Sequence, residues 1–383
     1  MNKRTYEEIN EKIRTGEVVV VSAEEIVDLV KEKGLDEVFE EVDVVTTATF
    51  GPMCSSGAFL NFGHSDPQIR MEKITINNVP ANGGLAAVDT FVGATEESIT
   101  EGYEYGGAHV IYDLVRGKEV ELHATGKGTD CYPNKEIRQK VRLEDLNEAY
   151  LYNPRNCYQN YNAAINTSAE HKYTYMGMLK KNRGNINYST TGTLSPLLND
   201  PYYRTIGMGT RIWFAGAVGY VAWEGTQFNS ATDRDENGIP LGGGATLALV
   251  GDLKQMDPAY IRPAVFEGYG TSFSVGVGIP IPVLDKALLK QLAISNDDLY
   301  QNVVDYSIPR RSKPVLKRVS YSELRSGSVD IDGKQVKTAP LSSLKKAREI
   351  ANKLKVAIET GEFLLQEPIK LFSTENKTKG MRD

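Results

Sequence analysis

Only three cysteines, Cys54, Cys131 and Cys157, occur in 383 residues, and no two of them are spaced as CxxC. An odd, scattered set builds no disulfide framework, and without CxxC there is no zinc ribbon and no dithiol redox motif. The thiols are therefore expected to be reduced. The four histidines, His64, His109, His123 and His171, form neither HxxxH nor HExxH, which removes a zincin reading. Long apolar runs are missing too. The longest, IWFAGAVGYVAW at 212–223, falls well short of the roughly 20 residues that a helical bilayer span needs. The N-terminal MNKRTYEEINEK lacks the apolar stretch of a secretory signal. No basic tract stands out, since Lys180-Lys181 and Pro309-Arg310-Arg311 are short and the net charge is −6. A main role on nucleic acid is therefore not expected. Together these absences describe a cytoplasmic globular protein acting away from membranes.

What is present is an alternation of elements. TYEEINEKIRTG reads as a helix stopped by Gly16, and EVVVV (17–21) as a buried strand. SAEEIVDLVKEKG opens with Ser22 three residues before Glu25, the capping-box spacing, and LDEVFEEV adds a short helix. DVVTTATF (43–50) is the next strand by its β-branched content. This grammar predicts an α/β fold, a mixed sheet core with helices. HVIYDLVRG and KEVELHAT read as a strand pair turning at Gly117, and LEDLNEAYLY (143–152) as a helix. Beyond residue 190 the texture becomes glycine-punctuated, as in GGGATLALVGDL and GTSFSVGVGIPIPVL, which predicts a glycine-rich β-region. The stretch 341–361 reads as an amphipathic helix, with Leu344, Ala347, Ile350, Leu354 and Ile358 on one face. The expected organisation is an α/β region over 1–170 carrying the cysteine loops, a glycine-rich mixed region over 171–340, and a C-terminal helix and tail over 341–383 packing on the body.

Two cysteines fall in loops directly after predicted strands, where α/β sheets place their ligands. Cys54 lies in TFGPMCSSGAFLNFGHSDP, and a helix beginning at Ser55 or Ser56 would aim backbone N–H groups at its sulfur. The alternative is a structural cysteine in a tight loop. Cys131 lies in TGKGTDCYPNK, where Lys127 favours a thiolate and Asp130 opposes it. That loop can cradle an anion but lacks Walker A spacing, and a turn with an incidental cysteine is the plainer reading. Cys157, in the Asn- and Tyr-rich YNPRNCYQNYN, reads as structural. His64 is close to Cys54 in sequence and is a candidate proton donor, or else a turn residue bonded to backbone.

The strings TFGPMCSSGAFLNFGHSDP, INNVPANGGLAAVDTFVGATE, HATGKGTDCYPNKE, NPRNCYQNYNAA and GVGIPIPVLD, taken in order, resemble the homocysteine biosynthesis protein family over nearly the whole chain. The resemblance implies an L-aspartate semialdehyde sulfurtransferase activity of anaerobic archaea and bacteria, forming homocysteine. It makes Cys54 and Cys131 the candidate catalytic thiols. One would hold a persulfide and the other would resolve the intermediate as a disulfide, with His64 handling protons. It implies no tightly bound cofactor. Electrons would come from an external reductant or a separate ferredoxin-like iron–sulfur partner, and sulfur from a sulfide or persulfide donor. Some relatives carry a C-terminal pair of CBS domains, which this sequence does not show, so regulation through them is not expected. The implied substrate carries a carboxylate, which suits Arg. Arg155, flanked by Asn153 and Asn156, is the candidate anchor, with Lys127 as a further binding residue and Arg183, Arg204 and Arg211 as rivals. A homo-oligomer is compatible with all of this.

Two other readings compete. Three cysteines could hold an iron–sulfur cluster with one open iron position, making a non-enzymatic iron–sulfur or sulfur carrier, although clusters usually take four thiolates. A CoA-transferase-like acyl enzyme would instead rest on Glu224 or Glu267, in or beside glycine-rich strands.

Overall fold

The structure is a computed structural model that describes residues 3–52 and 55–381. The first elements follow local rules. Helix Tyr6–Thr15 starts at a Thr5–Glu8 capping box and ends at Gly16, whose φ of 73° a side chain would resist. Ser22 and Glu25 exchange the two expected bonds, Glu25 N–H to Ser22 Oγ at 3.2 Å and Ser22 N–H to Glu25 Oε2 at 2.6 Å.

Among the described residues, fourteen strands join in one mixed sheet and six in a second. In the first, strand Val44–Pro52 lies parallel to Val20–Ser22 and antiparallel to Gly270–Pro282. The long strand Gly270–Pro282 is buried throughout, and its glycines have a packing reason. A Cβ on Gly278 would lie 3.2 Å from Ile350 Cγ2 and 3.3 Å from Leu354 Cδ2. The bare backbone therefore lets helix Leu344–Glu359 settle close, with Ala347, Ile350, Ala351, Leu354 and Ile358 buried beneath it. The second sheet holds Ala163–Ile165, Ile186–Tyr188, Tyr300–Asp305, Val315–Ser320, Ser328–Ile331 and Lys334–Pro340. It has its own core around Ile186, Val303, Val319 and Tyr321. Each sheet draws strands from both of the sequence blocks 1–170 and 171–340, because the chain leaves the first sheet after Asn156 and returns to it at Arg211.

The mixed α/β character agrees with the sequence reading. Three local assignments change. HVIYDLV is not a strand but part of helix Gly107–Val115. Gly107, Val110, Ile111 and Leu114 are buried at i, i+3, i+4 and i+7, so the helical period prevails over β-branched content. Residues 143–152 are not a helix. A short turn at Leu143–Asp145 leads into strand Glu148–Asn156, where Ala149, Leu151 and Asn153 are buried and Glu148 and Tyr150 exposed. No helix begins at Ser55 or Ser56. Gly57–Asn61 is a strand, paired with Asp89–Gly93 and Glu148–Asn156. The helix-terminus argument for an activated Cys54 thiol therefore falls.

Candidate active site

Strand Val44–Pro52 and strand Gly57–Asn61 lie in different parts of the large sheet, and Cys54 falls between them in the sequence. Cys54 itself lies outside the described residues, but its flanks Pro52 and Ser55 line a cavity of about 250 Å³. The other walls come from far along the chain. Arg155 and Tyr158 follow strand Glu148–Asn156 or end it, Ser189 and Leu341 leave the second sheet, and Tyr175 sits in the hairpin joining Lys172–Thr174 to Gly177–Leu179. The cavity thus lies where the two sheets meet. A second, more open cavity adjoins it, sharing Ser55, Arg155 and Tyr269 and adding Thr95, Glu97 and Thr271.

Arg155 is held from behind. Its Nε donates to Thr226 Oγ1 at 2.9 Å, and its backbone N–H donates to Asn153 Oδ1 at 3.1 Å. No carboxylate among the described residues lies in ion-pair range of it, whereas its sequence rivals are engaged. Arg183 pairs with Asp332 at 3.2 Å, Arg204 with Asp285 at 2.5 Å, and Arg211 stacks over Phe363. Asn153 is fully buried, and its Nδ2 donates to Ser56 Oγ at 2.9 Å, tying the Arg155 strand to the residue two beyond Cys54. Asn156 is also buried and accepts the Cys157 N–H at 2.6 Å. Both asparagines act as scaffold beneath the cavity and do not line it.

The remaining sequence candidates gather elsewhere. His64 stacks on Tyr132, ring centroids 6.2 Å apart, so it lies beside the loop of Cys131. Asn134 N–H donates to Gln68 O at 3.1 Å and stitches the two loops together. Lys127 in the same loop reaches Glu72 at 3.5 Å. From strand Gly57–Asn61 to Val120–Thr125 is four strands along the sheet, roughly 19 Å at the usual spacing. The two strands point the same way, with Ser55 before the start of one and Cys131 after the end of the other. The cluster of His64, Lys127 and Cys131 is thus at the opposite sheet end from Ser55.

The two described thiols differ in environment. Cys131 is exposed, and Cys157 is buried behind Tyr158 and Ser189, where burial pushes its thiol pKa up. Native protein treated with iodoacetamide is expected to label Cys131 and to spare Cys157 until denaturant is added. Peptide mass mapping reads this directly, and equal labelling of both in the native state would contradict the assignment.

The cavity also holds residues that the sequence did not single out. Tyr158, Tyr161, Tyr175 and Tyr269 line it. The only hint was composition, 20 tyrosines against 11 phenylalanines. Their hydroxyls form a chain, Tyr161 Oη to Tyr175 Oη at 2.9 Å and Tyr175 Oη to Tyr306 Oη at 3.0 Å. Burial, first of all, raises the pKa of each of these three phenols. The rival carboxylates are not part of this site. Glu224 accepts from Asn376 Nδ2 at 2.8 Å, Glu267 is exposed in a turn, and neither lines either cavity.

A family described as "Homocysteine biosynthesis enzyme, sulfur-incorporation" matches residues 18–365. The chain belongs to this family. A protein of Methanosarcina acetivorans named L-aspartate semialdehyde sulfurtransferase is 50% identical over 382 residues, covering 100% of this chain and 74% of that protein. A protein of the same name from Methanocaldococcus jannaschii is 50% identical over 393 residues, covering 98% of this chain and 75% of its own. A protein of Methanothermobacter thermautotrophicus with no assigned role is 30% identical over 339 residues, covering 85% of this chain and 73% of its own. No solved structure matches the chain. Membership makes the chain an enzyme of homocysteine biosynthesis, which takes the support from a carrier without catalysis and from an acyl-enzyme built on Glu224 or Glu267. Among the described residues no helix is long and apolar enough to cross a membrane.

Proposed function

We propose that this enzyme inserts sulfur into L-aspartate 4-semialdehyde to form L-homocysteine, with Cys54 as the sulfur-bearing thiol. One observation carries the reading: Pro52 and Ser55, the described residues on either side of Met53-Cys54, line one cavity with Arg155, whose guanidinium has no carboxylate partner among the described residues. The names of the two relatives at 50% identity supply the substrate. Arg155 would take the substrate carboxylate, and Glu97 in the adjoining cavity would take its ammonium.

The overall conversion adds one hydrogen sulfide, two electrons and two protons to the aldehyde and releases one water. Where sulfur arrives as a persulfide on Cys54, two more electrons are needed to free it from the protein. A second thiol supplies them by attacking the mixed disulfide, leaving Cys54–Cys131 oxidised until an external reductant or a ferredoxin-like iron–sulfur protein resets it. A disulfide requires Cα atoms within about 7 Å. Cys131 therefore acts either by movement of its loop or from a second copy of the chain. Its exposure also suits it to meet an external sulfur or electron donor. His64 stacks beside that loop and would serve protons there.

The test is anaerobic turnover. The purified chain, given aspartate semialdehyde, sulfide and a low-potential reductant, is expected to form homocysteine. Its absence with every sulfur donor tried, sulfide and persulfide alike, would refute the reading.

A further inference from the structure

We infer that the hydroxyl chain of Tyr161, Tyr175 and Tyr306 is the site that receives the substrate's carbonyl oxygen and protonates it as sulfur adds. This rests on the proposed function and assigns groups that the family comparison does not name.

A phenol carries one proton and can accept at two lone pairs. Tyr161 Oη and Tyr306 Oη each bond Tyr175 Oη, and Tyr161 and Tyr306 also interact with each other, so the three hydroxyls form one cluster. A carbonyl oxygen entering the cavity can take a hydroxyl proton turned towards it from a neighbour within that cluster. Tyr161 and Tyr175 line the same cavity as Ser55 and Arg155. Met176, Leu341 and Pro52 line it too, and apolar walls strengthen a hydrogen bond to developing charge. Burial keeps all three phenols protonated at neutral pH, which is the state required of a donor. A substrate held by its carboxylate on Arg155 has its aldehyde at the far end of a short chain. Tyr161 and Tyr175 line that cavity and offer hydroxyl protons to that end.

The step balances without redox chemistry. The sulfur lone pair forms a bond to the carbonyl carbon, and the C=O π pair moves onto oxygen. That oxygen takes the phenol proton, giving a hydroxyl-bearing sulfur adduct and a phenolate. Tyr175 is 39% exposed, so the chain regains its proton from solvent. Tyr175 and Tyr161 are the catalytic candidates, and Tyr306, which reaches the cavity through Tyr175, is a positioning residue.

Steady-state kinetics of Tyr175→Phe and Tyr161→Phe, with the anaerobic assay above, test this. Loss of a transition-state donor lowers kcat by about 10²-fold. In at least one of these variants kcat is expected to fall by that factor, with KM for aspartate semialdehyde within about threefold, since the ground-state anchors are intact. Tyr306→Phe is expected to lower kcat about tenfold, again at unchanged KM. A purely structural role would instead lower the melting temperature and the active fraction without this split. If both Tyr175→Phe and Tyr161→Phe keep the wild-type kcat, the inference is wrong while the proposed function stands. A wild-type chain inactive on aspartate semialdehyde refutes the proposed function, and the inference with it. Should one variant fail to fold, the other decides, because each removes one hydroxyl of the same chain.

Discussion

Cys54→Ala is expected to abolish homocysteine formation, by about 10³-fold or more, the scale on which removal of a covalent nucleophile acts. The expectation follows from place. Pro52 and Ser55, which flank Met53-Cys54 in the chain, line the cavity that holds Arg155, and neither of the other two cysteines lines that cavity. Cys131→Ala is expected to fail differently. If it resolves a mixed disulfide on Cys54, its loss leaves sulfur transfer possible once and blocks the return to the starting thiols. One homocysteine per chain, held as a mixed disulfide and freed only by a small external thiol, is the signature. Cys157→Ala is expected to keep turnover, because burial holds that sulfur as an unreactive thiol. Rapid-quench assays on the three variants separate these outcomes. Full turnover by Cys54→Ala would remove the nucleophile from this cavity and return the question to the loop at 126–135.

Arg155→Ala is the second large effect, on binding. A charge-assisted hydrogen bond contributes about 1.5–3 kcal/mol, so KM for aspartate semialdehyde is expected to rise about 10- to 100-fold. Arg155→Lys should recover part of this, as a point charge without the paired N–H groups. Glu97→Gln should raise KM only a few-fold, because Glu97 is exposed and its attraction for an ammonium is screened. Arg183→Ala serves as the control, its guanidinium being committed to Asp332 at 3.2 Å. A KM unchanged in Arg155→Ala but raised in Arg183→Ala would move the carboxylate anchor to the second sheet.

The scaffold explains why the candidate residues divide into two groups. Strands Gly57–Asn61 and Val120–Thr125 run the same way in one sheet, so the loop before the first and the loop after the second emerge at opposite ends. Cys54 and Cys131 follow strands in the sequence and looked equivalent there. The intervening strand Gly57–Asn61 carries the chain from the cavity at Ser55 across to His64, about 13 Å along the strand itself. His64, ten residues after Cys54, thereby becomes a neighbour of Tyr132.

The features legible in the sequence alone were those set by short-range chemistry or by long distinctive strings. Gly16 as a helix stop, the Ser22–Glu25 cap and the five-residue apolar face of helix Leu344–Glu359 each depend on neighbours within a turn or two. The family membership was legible because MCSSGAF, TGKGTDCYP and their companions are specific in order and content. Short apolar runs were not decidable in this way. HVIYDLV fits a strand by composition and a helix by spacing, and only its packing on the first sheet selects the helix. LEDLNEAYLY became a strand because partners on both sides, Gly57–Asn61 and Leu247–Asp252, were available to pair with it. The choice of Arg155 over Arg183, Arg204 and Arg211 depended on which guanidiniums already had carboxylate or aromatic partners far away in the chain. The tyrosine chain is the extreme case. Its three members are up to 145 residues apart, so no local pattern could announce it, and only the closing of the second sheet against the first brought their hydroxyls within hydrogen-bond distance.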